Sequence, residues 1–432
     1  MSKKKKILIF AHYYAPDVAS TGQILKDQAE GMSEQFDITV ICTVPSYSGT
    51  IEPRYKTQKY YFEELNGVAL IRVRVPGFSK TDKMSRIQNI VSYFFNASRA
   101  MLKAGEQDYV FTISQPPILG GLLGVIGKWE KHAKMIYCIQ DFNPEQVQAV
   151  QYSSNKLILK AMMSIDKFSC RCSDLVITVG RDLVETLKGR FHDHNVPKYA
   201  MINNWIDEKT IYPLSRDDAD VIAFKKRYGL EDKFVIMYSG NIGLYYDLEN
   251  LVHIMKLFRK GYTSKGVYET GPKTSDGREV VFAFVGAGSL LDKLILYAEE
   301  HRFENIIFIP YQEKKDLIYS LNAGDVHWCV NARGLRGVSC PSKAYGIMGA
   351  GRPIIGVLEK NTEIRLIIEE CQCGICCEPG AYDEIVHIIR WYIENADTEE
   401  MVRMGKNGRE YLEKNLTKSV SIERYIEAIK SV

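Results

Sequence analysis

Strand-length apolar runs alternate with helix-length amphipathic stretches twice along this 432-residue chain, and that double alternation limits the folds open to it. The first run places strands at 7–10, 38–42, 70–75, 109–113, 135–139 and 175–179, then the extended segment 200–207. Helices are read at 21–35 and 157–172, and a glycine-rich buried one within 116–127. Tyr212-Pro213 reads as a linker, after which strands return at 234–239, 280–285, 306–309, 326–330 and 354–357. Strands that alternate with helices form parallel sheets joined by right-handed crossovers. The expected fold is therefore α/β, with two Rossmann-like doubly wound parallel-sheet domains facing a cleft. The first is read over 1–210 and the second over 211–415, with a helix at 416–432 packing back on the body. The polar stretch 261–279 reads as a surface insertion. Ligands of such sheets lie beyond the carboxyl ends of the strands, so a ligand is expected in the cleft.

Composition narrows the function. With 46% hydrophobic and 25% charged residues an ordinary core is available. No run approaches the roughly 20 apolar residues of a membrane span. Ser2-Lys-Lys-Lys-Lys6 precedes only a short apolar run, so it does not read as a signal peptide. Ten irregularly spaced cysteines are expected as reduced thiols in the cytoplasm. Cys371-Gln-Cys-Gly-Ile-Cys-Cys377 and Asp218-Ala-Asp220 each mimic a metal site, but no partner group stands at ligand spacing, so no metal is expected.

Residues 1–210 carry a net charge of +6 and residues 211–432 a net −3. The excess concentrates in 54–103, net +7, where Ile87, Ile90, Val91, Phe94, Ala97 and Met101 recur at helical spacing, widened by Tyr93 and Phe95. Flanked by Arg86, Arg99 and Lys103, this reads equally as a core-facing helix with a basic back or as a helix lying on an anionic membrane. Nucleic acid fits poorly, since no binding motif accompanies the charge.

The chemistry gathers in glycine loops after strands. Gly337-Val-Ser-Cys-Pro-Ser-Lys-Ala-Tyr-Gly-Ile-Met-Gly-Ala-Gly-Arg-Pro353 reads as a loop, then a helix with Pro341 at its start, then a stop before the strand at 354. A helix start offers free N–H groups and partial positive charge, to which Ser342 adds a hydroxyl and Lys343 a full charge. Gly240-Asn-Ile-Gly243, Gly286-Ala-Gly288 and Thr21-Gly22 are further loops able to aim N–H groups at phosphate. Position 291 is Leu where a dinucleotide fingerprint needs glycine, which disfavours hydride transfer, and no Walker lysine loop supports ATP hydrolysis. Phosphate loops in both halves suit a nucleoside diphosphate carrying a second group.

With those loops in view, the chain resembles the retaining glycosyltransferases of the two-Rossmann GT-B fold. Within them it is most similar to the family-four branch that builds bacterial surface polysaccharides and O-antigens. The matching residues are His12-Tyr-Tyr-Ala-Pro-Asp17 with Thr21-Gly22, Gln140-Asp-Phe-Asn-Pro-Glu145 and Asn203-Asn-Trp-Ile-Asp207. In the second half they are Tyr238-Ser-Gly-Asn-Ile-Gly243 with Asp247-Leu-Glu-Asn-Leu251, Phe284-Val-Gly-Ala-Gly288, and Cys340-Pro-Ser-Lys-Ala-Tyr-Gly346 with Gly351-Arg-Pro353. The resemblance implies transfer of a sugar from a nucleotide-diphosphate donor, UDP ahead of GDP, with retention and with neither cofactor nor obligatory metal. It implies a polyprenyl-linked or glycan acceptor and work in the cytoplasm or at the inner face of the cell membrane.

Two departures stand out. The wider family has glutamates eight residues apart around this helix; here those positions are Val338 and Gly346. Its diphosphate-binding Arg and Lys fall near Asn241 and Asp247. The diphosphate is then expected to meet Lys343, Ser342 and Arg333 or Arg336, with Gly22, Gly240, Asn241, Gly243, Gly288 and Tyr345 as further donor contacts. Glu363 stands in as the carboxylate for ribose or sugar hydroxyls, or else as a helix cap. Glycosyl transfer builds negative charge on the departing phosphate, which makes Lys343 the central catalytic candidate. Asp141 or Gln140 would orient the acceptor for front-face attack, and His12 and Glu145 would line the acceptor side. A nucleotide-sugar epimerase and a non-catalytic assembly partner remain as other readings.

Overall fold

The fold was obtained as a computed structural model in which residues 3–17, 19–79, 82–149, 155–259 and 271–432 are described. The 261–270 part of the expected insertion lies outside them. The chain forms two compact units. Unit 1 comprises Met1–Asn204, the short segment Gly337–Ser339 and Ser419–Val432; unit 2 comprises Trp205–Arg336 and Cys340–Lys418.

Unit 1 is built on eight strands: β1 (Lys5–Ala11), β2 (Phe36–Thr43), β3 (Tyr60–Leu65), β4 (Val68–Val73), β5 (Tyr109–Ile113), β6 (Lys134–Ile139), β7 (Leu175–Thr178) and β8 (Tyr199–Met201). Their order is β3-β4-β2-β1-β5-β6-β7-β8. All neighbours are parallel except the β3–β4 hairpin, which caps one edge. Central strands are covered on both faces, so they read as unbroken apolar runs and were legible in the sequence. β3 was not: its half-exposed Tyr-Tyr-Phe-Glu-Glu-Leu belongs to an edge.

Before Asn204, six helices of unit 1 flank this sheet or its strand ends: α1 (Ser20–Met32), α2 (Lys83–Ala100), α3 (Leu119–Lys131), α4 (Glu145–Ala149), α5 (Lys156–Cys172) and α6 (Arg181–Arg190). Helix α3 packs between α2 and α5. Its glycines permit that closeness: a Cβ on Gly124 would lie 2.5 Å from side chains of Thr112 and Met135. Asp82 caps α2 and Asn155 caps α5 through their side chains. The stripe expected on α2 divides in the structure. Tyr93, Ala97 and Met101 are buried, whereas Met84, Ile87, Val91, Phe95 and Leu102 are exposed. Tyr93 therefore belongs to the core and donates to the Ile41 carbonyl, rather than widening an outer face.

Unit 2 is built on six parallel strands: β9 (Lys233–Ser239), β10 (Glu279–Val285), β11 (Ile306–Ile309), β12 (Val326–Val330), β13 (Ile354–Val357) and β14 (Gly374–Cys377). Their order is β11-β10-β9-β12-β13-β14. The expected boundary at 210 falls inside this unit, because Thr210 and Ile211 donate to the Asp207 carbonyl and Arg409 bonds the Ile211 carbonyl. Asp218 is a helix cap, accepting from the N–H groups of Asp220 and Val221. The Cys371–Cys377 stretch runs into β14, and the described residues contain no group of side chains arranged to hold a metal.

The final helix, Lys418–Lys430, belongs to unit 1 from Ser419 onward. Tyr425 lies edge-on to Phe111 with its hydroxyl 3.4 Å from the Cys138 sulfur. Ile422 packs on Gly31 of α1, where a Cβ would lie 2.2 Å from its terminal methyl.

Candidate functional site

In unit 2 the loops leaving β9 and β10 are laced together. Gly240 N–H donates to Val285 O and Ile242 N–H to Ala287 O, while Leu290 N–H returns to Ile242 O. Only glycine fits this lacing: a Cβ on Gly286 would lie 2.0 Å from the Gly240 oxygen, and one on Gly288 2.1 Å from the Ile242 oxygen. Gly240 itself has φ +144°, a region L-residues avoid. Gly243 leads into a single helical turn, Leu244–Tyr246, and Asn241 stands exposed at the loop tip with its carbonyl bonded by the Tyr238 hydroxyl.

Lys343 lies against this loop. It is the first residue of the helix Lys343–Gly349, and a Cβ on Gly240 would be 2.7 Å from its Cε. Its amine sits 3.4 Å from the centre of the Tyr246 ring and 5.2 Å from that of Tyr238. Such ring faces attract a cation without neutralising it. Desolvation lowers the Lys343 amine to about 8. Beneath it, burial pushes the Cys329 thiol up to about 12. Among the described residues no carboxylate pairs with the lysine. The result is a cation at neutral pH, stripped of part of its water and lacking a counterion among the described residues, beside the glycine loop at Gly240. An arriving anion would supply the missing charge.

Neighbouring groups divide into available and committed. Ser342, at the helix start, is exposed, and its hydroxyl caps nothing. Arg333 and Arg336 are exposed on the preceding loop, with Arg333 bonded to the Pro379 carbonyl. That loop is pinned by Glu359, whose Oε2 accepts three consecutive N–H groups, of Gly334, Leu335 and Arg336, at 2.9 to 3.0 Å. Asp247 accepts from Asn250 and from the Tyr382 hydroxyl, which fixes the turn at its φ of +52°. Glu363 is buried in the first turn of the helix Glu363–Cys371. Tyr345 departs from expectation: with no exposed surface and its hydroxyl turned to the Cys340 sulfur, it is part of the wall rather than a donor contact.

Unit 1 holds the remaining candidates. Asp141, just past β6, bridges to Ser339, and burial raises its carboxyl to about 6, opposed by a hydrogen bond from Gln146. Gln140 is committed: its Oε1 accepts from Asn204 at 2.7 Å and its Nε2 faces the Cys138 sulfur. Glu145 is likewise committed, because both its oxygens receive Arg190, which also pairs with the buried Asp166. With both oxygens taken up by Arg190, the acceptor-side role expected of Glu145 gives way to a structural one. His12 bonds Asn89 at 3.0 Å, stacks on Tyr13, and is driven by burial down to about 4, so it is neutral. Gly22 lies inside α1, where a Cβ would meet the Tyr13 carbonyl at 2.9 Å; closeness to backbone rather than a phosphate loop accounts for it.

Sequence reasoning missed Tyr246 and Glu359. Tyr246 follows Gly243 closely enough to have been suspected; Glu359 carries no local signal, since its partners lie on another loop.

A glycine-laced pair of loops at parallel strand ends, with a lysine that has no ion-pair partner among the described residues, is an arrangement suited to receiving an anion. Residues 220–411 match the family described as Glycosyl transferases group 1, and the fold is that of two α/β domains of GT-B architecture. It is 24% identical to the probable glycosyltransferase WbjE of Pseudomonas aeruginosa, over 98% of each chain. It is 22% identical to WcaI of Escherichia coli K12, named as a colanic acid biosynthesis glycosyl transferase, over 98% of this chain and all of that one. Among solved structures it overlays Anabaena HepE in complex with UDP at a TM-score of 0.68 with 14% identity, covering 99% of this chain and 100% of that one.

Proposed function

We propose that the chain is a retaining, family-four glycosyltransferase of bacterial surface polysaccharide assembly, covering capsule or O-antigen. It moves a hexosyl or N-acetylhexosaminyl group from a nucleotide-diphosphate sugar, with UDP favoured over GDP, to a polyprenyl-linked or glycan acceptor. The observation that carries this is Lys343: a partly desolvated ammonium with no carboxylate partner among the described residues, held over Tyr246 at the laced loops. The diphosphate takes that charge, with the Ser342 hydroxyl and the exposed Arg336 completing the contact. As the bond to the sugar breaks, charge grows on the departing phosphate, and a fixed cation stabilises it more there than in the ground state. Asp141, whose raised pKa suits proton exchange near neutrality, orients the acceptor hydroxyl, and the leaving phosphate receives its proton. Two relatives named as glycosyltransferases, one of them for colanic acid, support the polysaccharide setting. The UDP complex of HepE supports the donor base.

Peripheral attachment to the inner face of the membrane belongs to the same reading. It is supported by the exposed apolar edge of α2 among Lys83, Arg86 and Arg99. A second exposed set adds to it: Leu157, Ile158 and Phe168 on α5, with Trp129 of α3 edge-on to Phe168. A thermal-shift series with UDP, GDP and their sugar conjugates tests the donor assignment. UDP compounds should raise the melting temperature by mass action. No stabilisation by any of them would remove the transferase reading.

A further inference from the structure

The turn after β9 holds Lys343 without neutralising it. Tyr246 ends the turn Leu244–Tyr246 and forms a corner with Tyr238, their ring centres 6.1 Å apart and their planes inclined by 58°. The Lys343 amine occupies that corner, 3.4 Å from the centre of Tyr246 and 5.2 Å from that of Tyr238. Its stem runs along Gly240, where a Cβ would stand 2.7 Å from Cε and 3.5 Å from Cδ.

Both rings are fixed by contacts that do not involve the lysine. Tyr238 is buried on β9, and its hydroxyl donates to the Asn241 carbonyl at 2.6 Å. Tyr246 packs against the apolar cluster that includes Phe234, Ile236 and Tyr238. Its turn is tied on both sides: the Tyr245 carbonyl accepts the Ala332 N–H at 2.7 Å, and Asp247 follows at φ +52°.

Asp247 matters for what it withholds. It is the carboxylate next to Tyr246 in sequence, yet one oxygen takes the Asn250 amide and the other the Tyr382 hydroxyl, each at 2.7 Å. The turn therefore offers the cation a ring face while its carboxylate stays with other donors. A carboxylate partner would order the ammonium and cancel its charge, whereas a ring face orders it and leaves the charge in place. Two further titratable groups face the amine, and neither is charged at neutral pH. Burial pushes the Cys329 thiol up to about 12 and the Tyr238 hydroxyl well above its usual range.

We propose that Tyr246 is a positioning residue of the donor site: its aromatic face holds the Lys343 ammonium at the glycine loop, so that a nucleoside diphosphate meets a cation already in place and uncompensated. The face does this, not the hydroxyl. The proposal rests on Lys343 being the diphosphate ligand, and it adds the group that readies the lysine for that role.

The test uses the full chain and whichever of UDP and GDP binds wild type more tightly. Affinity is measured by calorimetry from pH 7 to 9, above the range where a terminal phosphate titrates, about 6. Tyr246→Phe keeps the face and should bind within about twofold of wild type. Tyr246→Leu keeps an apolar filler without the face, and should bind about three- to tenfold more weakly at pH 7. It should also move the onset of the alkaline fall in affinity to lower pH, by about half a unit or more. The sign follows from the ring: a face that attracts the ammonium holds its pKa up, and without it desolvation acts unopposed. On a Lys343→Ala background, Tyr246→Leu should alter affinity by less than about twofold. A packing role alone would move neither the pH onset nor this dependence on Lys343. Tyr246→Met takes the place of the leucine variant if that chain does not fold. A phenylalanine variant as weak as the leucine one, an unshifted onset, or an equal loss with and without Lys343 overturns the proposal. Nucleotide binding that Lys343→Ala weakens and Tyr246→Leu does not removes the role of Tyr246 and leaves the donor reading standing. Binding of neither nucleotide by wild type removes both.

Discussion

Both units are doubly wound parallel sheets, yet they use their strand ends differently. In unit 2 the ends of β9 and β10 carry glycine loops laced by backbone hydrogen bonds, and the Lys343 side chain that lies against them is left without a counterion among the described residues. In unit 1 the ends of β1 and β6 carry polar side chains already joined to partners: His12 to Asn89, Gln140 to Asn204, Glu145 to Arg190. The first arrangement holds unmet charge for a ligand, and the second holds shape. A side chain's type near a strand end therefore says less about function than whether its valence is filled.

Four measurements sharpen or break that contrast. The largest effect is expected for Lys343→Ala, which should lower turnover by about a hundredfold or more while barely moving the melting temperature. Unchanged turnover would erase the difference between the units. Arg190→Met should do the reverse. It strands Asp166 and Glu145 and should cost about 3–5 kcal/mol of stability, read by denaturant titration, while UDP still binds. A milder effect is expected from pH. With the Lys343 amine near 8 and bound diphosphate favouring its protonated form, UDP affinity should fall as pH rises through 8. The Asp141 carboxyl near 6 should add an acid limb to kcat/KM. Lys343→Arg should remove the alkaline limb, and a flat profile across that range would contradict both assignments. The smallest effect should come from Arg86→Glu with Lys103→Glu. Partitioning onto anionic vesicles should drop by about 1 kcal/mol per charge, without change in UDP binding. Partitioning equal to wild type would dispose of the membrane contact on α2.

The contrast also explains what could be read in advance. Glycine pairs after apolar runs and a Pro-Ser-Lys helix start are local signals, and they located the Gly240, Gly288 and Lys343 cluster. The parallel strands were legible because burial on both faces leaves few polar interruptions. Partners distant in sequence were not legible. Nothing near Glu145 reveals that Arg190 will neutralise it, nor does Glu359 announce that it closes around three N–H groups of another loop. On α2, periodicity offered apolar residues nearly all round, and only packing on the sheet decided that Tyr93 goes in and Phe95 out.

The last helix has a practical consequence. Because Ser419–Val432 completes unit 1, a fragment ending at Asn204 would lack the cover over Cys138, Phe111 and Gly31 and would bare that apolar surface. Expression trials and domain exchange with similar proteins should therefore treat the portion from Trp205 to Lys418 as an internal cassette, keeping the two chain ends together.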